Sequence, residues 1–344
     1  MGSMGNRSIS AEERRILVTG GLGFIGVHLC QALLSRYPGC ELSIVDNLSS
    51  TKTDYAALRP HANISIMDLR DFQPLHSEFT DIFHLASPVG SLGILSRHGH
   101  IASDILELAH KVSSLAAASN ADLLYLSSSE VYGRDGQHGE NTELIVPSRY
   151  GTRMEYALGK LTAEHVLQNL SNFESHRLRI VRPFNVVGPY QSAELGFVLP
   201  IFFNAALRDQ PLPVHGDGRQ LRSLCHVDDL VAGLIAVQER GRAGALYNVG
   251  NPNNRISIGA LAERIIGVCN SRSVMEPVDP VQRYGKFYLE AFNKQPVIDR
   301  VSKETGWAPS IGLTKLLDRM HEWFTAPEGT SKAANEIHSD AELV

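Results

Sequence analysis

Short apolar runs alternate with longer amphipathic stretches over the first half of the chain. The runs at 16–18, 43–46, 64–67, 81–86, 123–127 and 179–181 are too short for helices and read as strands, the first of them covered on both faces. Between them apolar residues recur at helical spacing, first at Phe24, Ile25, Leu29, Ala32 and Leu33, then over 101–118 and 150–170. Strands alternating with helices predict an α/β fold of Rossmann type, a doubly wound parallel sheet. Past Pro183 glycine and proline turns become frequent, as at Gly188-Pro189, Pro211-Leu212-Pro213 and Gly250-Asn251-Pro252. Helical periodicity returns at 228–238, 258–269 and 313–324, which predicts a smaller C-terminal lobe.

The first strand and helix are joined by an informative turn. Gly20, Gly23 and Gly26 follow the run at 16–18 with the spacing GxxGxxG. Gly20 can take the positive φ of a tight turn, Gly23 lets backbone approach a pyrophosphate, and Gly26 lets the helix pack close to the strand. The free N–H groups at the helix N-terminus then face phosphates. The next strand ends in Asp46, about 20 residues past the last glycine, where a ribose diol is held. A carboxylate there repels a 2′-phosphate, so the expected dinucleotide is NAD. Ligands in such sheets sit beyond the carboxyl ends of the strands, here Gly20, Asp46, Asp68, Ala86, Ser128 and Arg182. The expected division is a tail over 1–13, an NAD-binding domain over 14–183, a mainly substrate-binding lobe over 184–326 with crossings between lobes, and a loose polar tail over 327–344.

Composition narrows the partners. The 344 residues carry a net charge of −5 without a basic run, which argues against nucleic acid or an acidic membrane surface. Cys30, Cys40, Cys225 and Cys269 form no CxxC and read as reduced thiols of a cytoplasmic protein. No secretory signal or apolar run of membrane length is visible, and Met1-Gly2-Ser3 before Met4 reads as a cloning remnant. His98 and His100 lack an acidic or cysteine partner at useful spacing, so no metal site is expected. The glycines and serines from Ser87 to Gly99 read instead as a flap.

Tyr156 and Lys160 lie four residues apart in a helical pattern and share one face. A lysine ammonium and an oxidised nicotinamide both favour the phenolate, which can take the proton of a sugar hydroxyl as hydride leaves its carbon. Upstream, Ser127-Ser128-Ser129-Glu130 follows a strand end. A hydroxyl at Ser128 can bond the reacting oxygen, and Glu130 is an acid–base candidate.

With His84-Leu85-Ala86, Ser127 to Gly133, Tyr156 with Lys160, and Arg182-Pro183-Phe184-Asn185-Val186-Val187-Gly188-Pro189, the chain resembles the extended short-chain dehydrogenases/reductases, the nucleotide-sugar epimerases, dehydratases and decarboxylases. The resemblance spans about Arg15 to Phe324. It implies tightly held NAD, a nucleotide-diphosphate sugar as substrate, with a UDP-sugar favoured, and a homodimer. It implies Tyr156 as base, Lys160 as its partner and Ser128 as the hydroxyl at the reacting oxygen. Cofactor contacts are implied at Gly20, Gly23, Phe24, Ile25, Gly26, Asp46, Asn47, Asp68, Leu69, Leu85, Ala86, Ser87, Tyr156 and Lys160. Substrate contacts are implied at Ser128, Ser129, Asn185 and Arg222, the last a diphosphate candidate whose forked guanidinium suits phosphate oxygens. The apolar stripes over 101–118 and 150–170 serve either a helix bundle between two subunits or the core.

Glu130 after two serines is similar to the Thr-Ser-Glu of UDP-glucuronate decarboxylases, and Gly250 to Asn254 and Tyr284 to Tyr288 also resemble that branch. There are departures. Tyr190 follows Gly-Pro where relatives carry Arg, and Phe197 stands near another such Arg. Lys294 falls where decarboxylases place an Arg beside the substrate carboxyl; it keeps the charge and loses the fork. Decarboxylation of a hexuronate is the first expectation, 4-epimerisation the second, 4,6-dehydration the third. An NAD-sensing regulator, which would tend to lack the Tyr/Lys pair, is the non-enzymatic alternative.

Overall fold

The computed structural model describes residues 9–49, 55–74, 78–88, 90, 93–94, 97, 99–133, 135–146, 151, 153–174, 176–284 and 293–326. His98, residues 285–288 of the decarboxylase-like segment, much of the expected flap and the 327–344 tail lie outside the described residues.

The chain runs β1 (Arg15–Thr19), α1 (Phe24–Arg36), β2 (Glu41–Asp46), β3 (Asn63–Ile66), β4 (Asp81–His84), α2 (Ile101–Ser119), β5 (Asp122–Leu126), β6 (Gly136–His138), α3 (Met154–Phe173) and β7 (Arg177–Pro183). It continues through β8 (Val186–Val187), α4 (Val198–Ala206), β9 (Leu212–His215), β10 (Leu221–Ser223), β11 (Cys225–His226), α5 (Val227–Arg240), β12 (Leu246–Val249), β13 (Arg255–Ser257) and α6 (Ile258–Val268). The last elements are β14 (Met275–Val278), α7 (Pro280–Tyr284), β15 (Asn293–Pro296), α8 (Asp299–Thr305) and α9 (Leu313–Thr325).

Seven strands form one parallel sheet in the order β12-β7-β5-β4-β1-β2-β3. The order reverses between β1 and β4, which opens a crevice at their carboxyl ends. Apolar residues cover both faces, as the strand runs predict. Leu29 and Leu33 of α1 and Leu230 and Leu234 of α5 pack on one side, with Ile105, Val112, Ala163 and Leu167 of α2 and α3 on the other. A third core, built from Phe202, Phe203, Leu261, Ile265, Leu316 and Met320, holds the smaller lobe together.

The chain crosses between lobes in both directions. β12 comes from beyond residue 183 yet completes the large sheet beside β7. β6 comes from before it yet pairs with β15 in the lobe's four-stranded sheet, β13-β10-β15-β6. That sheet puts Arg222 and Lys294 side by side on neighbouring parallel strands.

Arg179 is 1% exposed on β7, so its charge needs a partner. Nη1 donates to Asp122 at 2.7 Å and Nε to the Gly241 carbonyl at 2.7 Å, while Arg177 grips the same carboxylate at 2.7 and 2.6 Å. Burial pushes the Asp122 pKa up, but Arg177 and Arg179 outweigh it and hold it below the ordinary value. Asp122→Ala should lower the unfolding free energy in urea by about 3–5 kcal/mol at pH 7. A depressed carboxylate stabilises above its unfolded pKa of about 4, and that contribution fades as pH falls through the folded value. The gap to wild type should therefore narrow below pH ~4.

Candidate active site

The crevice is one cavity of about 690 Å³, lined from the first glycine turn to the smaller lobe. Gly20 has φ +71°, and a Cβ on it would sit 2.7 Å from the Ala86 nitrogen. A Cβ on Gly26 would lie 2.2 Å from the Gly20 carbonyl oxygen, so α1 can approach the turn only with glycine there. No side chain caps α1 at Gly23, and Gly23, Phe24, Ile25 and Gly26 line the cavity. The first-turn N–H groups of the helix are thus presented to it.

Asp46 accepts from the Leu22 nitrogen at 3.0 Å and the Leu48 nitrogen at 2.8 Å, tying the glycine turn to the end of β2. Beside it lie Asn47, whose Oδ1 accepts from the Ser49 nitrogen, and Asp68 with Leu69. Asp68 is clamped by Arg70 at 2.8 and 2.9 Å, and the guanidinium holds its pKa down to about 2. Arg70 reaches on to Asp104 and Glu107 of α2. Leu85, Ala86 and Ser87 continue the wall beyond β4.

Tyr156 sits in the first turn of α3, 7% exposed, with Ser128 and Ser129 facing the same space. Burial pushes the phenol pKa up to about 12, against hydrogen bonds from Ser128 and Ser87 that favour the phenolate. Desolvation is the largest influence on the phenol here, and Lys160 is not among the main ones. Lys160 does not line the cavity. Its Nζ donates to the Leu126 carbonyl at 2.9 Å and lies 6.0 Å from the Tyr156 ring centre. Burial lowers its pKa to about 7, opposed by Glu164.

Glu130 points inward. Its Oε1 accepts from Lys294 Nζ at 2.5 Å and pairs with Arg153 Nη2 at 3.2 Å. Burial raises its pKa, but Arg153, Lys294 and Arg222 overcome this and hold it at about 2. It is a carboxylate throughout the neutral range. Asn185 lines the cavity at φ 40°, a left-handed conformation asparagine tolerates, and donates to the Ser223 carbonyl at 3.3 Å. Arg222 also faces the cavity, and Lys294 stands behind its wall.

Residues 16–250 match the NAD dependent epimerase/dehydratase family. The chain belongs to that family. It is 30% identical over 315 residues to UDP-glucuronic acid decarboxylase 1 of Arabidopsis thaliana, covering 91% of this chain and 70% of the relative. It is 28% identical over 318 residues to UDP-N-acetyl-alpha-D-glucosaminuronate decarboxylase of Bacillus cytotoxicus, covering 91% and 98%. The fold superposes on UDP-glucuronic acid 4-epimerase of Bacillus cereus with a TM-score of 0.78 at 21% identity, over 90% of this chain and 98% of that one.

As a member of the epimerase/dehydratase family this chain is an enzyme whose cofactor is NAD, and its residues fit that dinucleotide. The turn that only glycines at 20 and 26 can form, the uncapped helix above it and the carboxylate of Asp46 offer sites for pyrophosphate and ribose. No helix among the described residues is long and apolar enough to cross a membrane. The decarboxylase-like loop at Gly250 to Asn254 lies off the cavity; Asn251 and Asn254 both donate to the Ile311 carbonyl and pin the chain before α9.

The sequence reading passed over three groups. Arg153 stands three residues before Tyr156, a spacing that shares its helix face. Glu164 extends the stripe from Tyr156 and Lys160 by another four residues and binds Arg182 at 2.9 and 2.5 Å and the Ser127 hydroxyl. Beneath Lys160 lies Tyr125, stacked on His84, whose ring nitrogen meets the Thr19 hydroxyl at 2.7 Å. Tyr190, the departure after Gly188-Pro189, lines the cavity and packs edge-on against His28 and Trp323.

Gly26→Ala should lower NAD affinity at least about tenfold, since the helix must move away from the turn. Titration calorimetry with the purified variant measures this; wild-type affinity would exclude the cradle described here.

Proposed function

We propose that the enzyme oxidises C4 of a nucleotide-diphosphate hexuronate, with UDP-glucuronate the first choice, and decarboxylates it. The observation that carries this reading is the cationic wall beside Tyr156. Arg153 and Arg222 face the cavity there, while Glu130 is the carboxylate they share with Lys294. A wall with more positive than negative charge suits an acidic sugar on a diphosphate. The decarboxylases named above act, by their names, on substrates of this kind.

Bound NAD supplies the hydride acceptor. Tyr156 Oη takes the proton of the C4 hydroxyl, and the Ser128 hydroxyl holds that oxygen in line with it. Lys160, fixed on the Leu126 carbonyl behind the cavity wall, holds the helix turn that carries Tyr156. Asn185 and Arg222 hold the diphosphate. A 4-keto hexuronate is a β-keto acid. When the C5–C6 bond breaks, its electron pair moves toward the C4 carbonyl, and CO2 leaves. Tyr156 is then placed to return a proton.

One observation favours a second reading, 4-epimerisation of the same acid: Lys294 stands behind the cavity wall rather than on it. Incubation with UDP-glucuronate and mass analysis separates the two. Loss of CO2 alone, with hydride returned to C4, or of CO2 and two hydrogens, with the 4-keto pentose released, supports decarboxylation. An isomer of unchanged mass supports epimerisation, and unreacted sugar with NAD bound overturns both. Tyr156→Phe should lower kcat about 10²–10⁴-fold with NAD retained, the range for a lost general base.

We also infer a homodimer built on α2 and α3. Leu106, Leu115, Val166 and Leu170 on these helices stay only partly buried, and Phe173 is 90% exposed. Light scattering should give about twice the 37.7 kDa of one chain.

A further inference from the structure

Lys294 and Arg153 approach Glu130 from two different elements. Lys294 comes from β15, where its strand neighbour is Arg222; its side chain is 6% exposed and does not line the cavity. Arg153 comes from the residue capping α3, is 26% exposed and does line it. Both reach the same oxygen, Glu130 Oε1, at 2.5 and 3.2 Å. Glu130 itself is fixed at its backbone, where its N–H donates to Ser128 Oγ at 3.1 Å. The buried Lys294 ammonium meets the carboxylate from outside the cavity, whereas the Arg153 guanidinium stands on the cavity lining, where a planar fork matches a carboxylate. The charge of Arg153 is also felt at Tyr156, so the guanidinium is within electrostatic range of the reacting hydroxyl.

We propose that Lys294 is a positioning residue: it anchors Glu130 from behind the wall, Glu130 holds the Arg153 guanidinium over the sugar, and Arg153 meets the substrate carboxylate. This deepens the hexuronate reading and rests on it. The expectation from the sequence placed residue 294 itself at the carboxylate. The geometry moves that contact to the helix that carries Tyr156 and leaves Lys294 one step removed. An acidic sugar would then be held by the same helix turn that presents the base.

The test compares equilibrium affinities of the NADH-loaded enzyme, which cannot oxidise the sugar, for UDP-glucuronate and UDP-glucose, which differ at the carboxylate. Wild type should favour the acid. Arg153→Met should erase about tenfold or more of that preference, the worth of a charge-assisted hydrogen bond, through weaker binding of the acid alone. Lys294→Met should reduce the preference in the same direction, Lys294→Arg should restore it, and the double variant should be no worse than Arg153→Met. Glu130→Gln gives an independent arm and should also reduce it. A purely structural Lys294 would lower the melting temperature and leave the acid/neutral ratio alone, and that result overturns the proposal. Independent, multiplying losses from Lys294→Met and Arg153→Met would overturn it too, since they signal direct contact by both. A wild type without preference for the acid would instead overturn the hexuronate reading, and is seen before any variant is made.

Discussion

The site depends on how α3 is fastened to the sheet. Glu164, buried at the helix midpoint, takes both prongs of Arg182 from β7 and the Ser127 hydroxyl from the end of β5. One turn earlier Lys160 donates to the Leu126 carbonyl, and one turn before that Tyr156 reaches the cavity. These side chains lie on one stripe, so fixing two of them to the sheet fixes the direction of the third. On the far side, a Cβ on Gly159 would come within 2.9 Å of Ala102, so α2 presses close against the same helix. The phenol is aimed by a buried ion pair and a helix contact, neither of which touches the cavity. Removing one partner of such a pair leaves an uncompensated charge in the interior, which makes the fastening both strong and unforgiving.

The cavity is electrically divided. At the glycine-turn end stand Asp46, bonded to two backbone nitrogens, and Asp68, clamped by Arg70. At the Tyr156 end stand Arg153 and Arg222 around Glu130. Burial and pairing have already chosen the protonation states. Glu130 and Asp68 are anions, held near 2, and the Tyr156 phenol is neutral, held near 12. Lys160, lowered to about 7, is the group among these whose charge lies close to balance at neutral pH.

Much of this was legible in the sequence because it depends on local spacing. The glycine turn, the carboxylate closing β2 and the strand–helix alternation are short-range patterns, and the candidate residues they yield line one cavity apart from Lys160 and Lys294. What was hidden depends on pairings between distant segments. Nothing around Leu246 says that it completes the first sheet, and nothing around Lys294 says that it meets Glu130 rather than a ligand. Arg153 and Glu164 were within reach, since each sits at helical spacing from Tyr156 or Lys160. A charged residue on a helix reads as solvated until the sheet beneath it is known. The upward push that burial gives the Tyr156 phenol was hidden for a related reason: charges can be counted in a sequence, whereas the loss of water cannot.

The return of β12 to the large sheet bears on how the protein is made. A nascent chain ending near residue 183 would have β7 as an open border, with backbone groups unpaired along Arg177–Pro183. Leu246–Val249 covers that border and moves the sheet edge out by one strand to β12, and α5, which precedes it in the chain, packs in the core on the same sheet. The large sheet is complete only when residues from both halves of the chain are present.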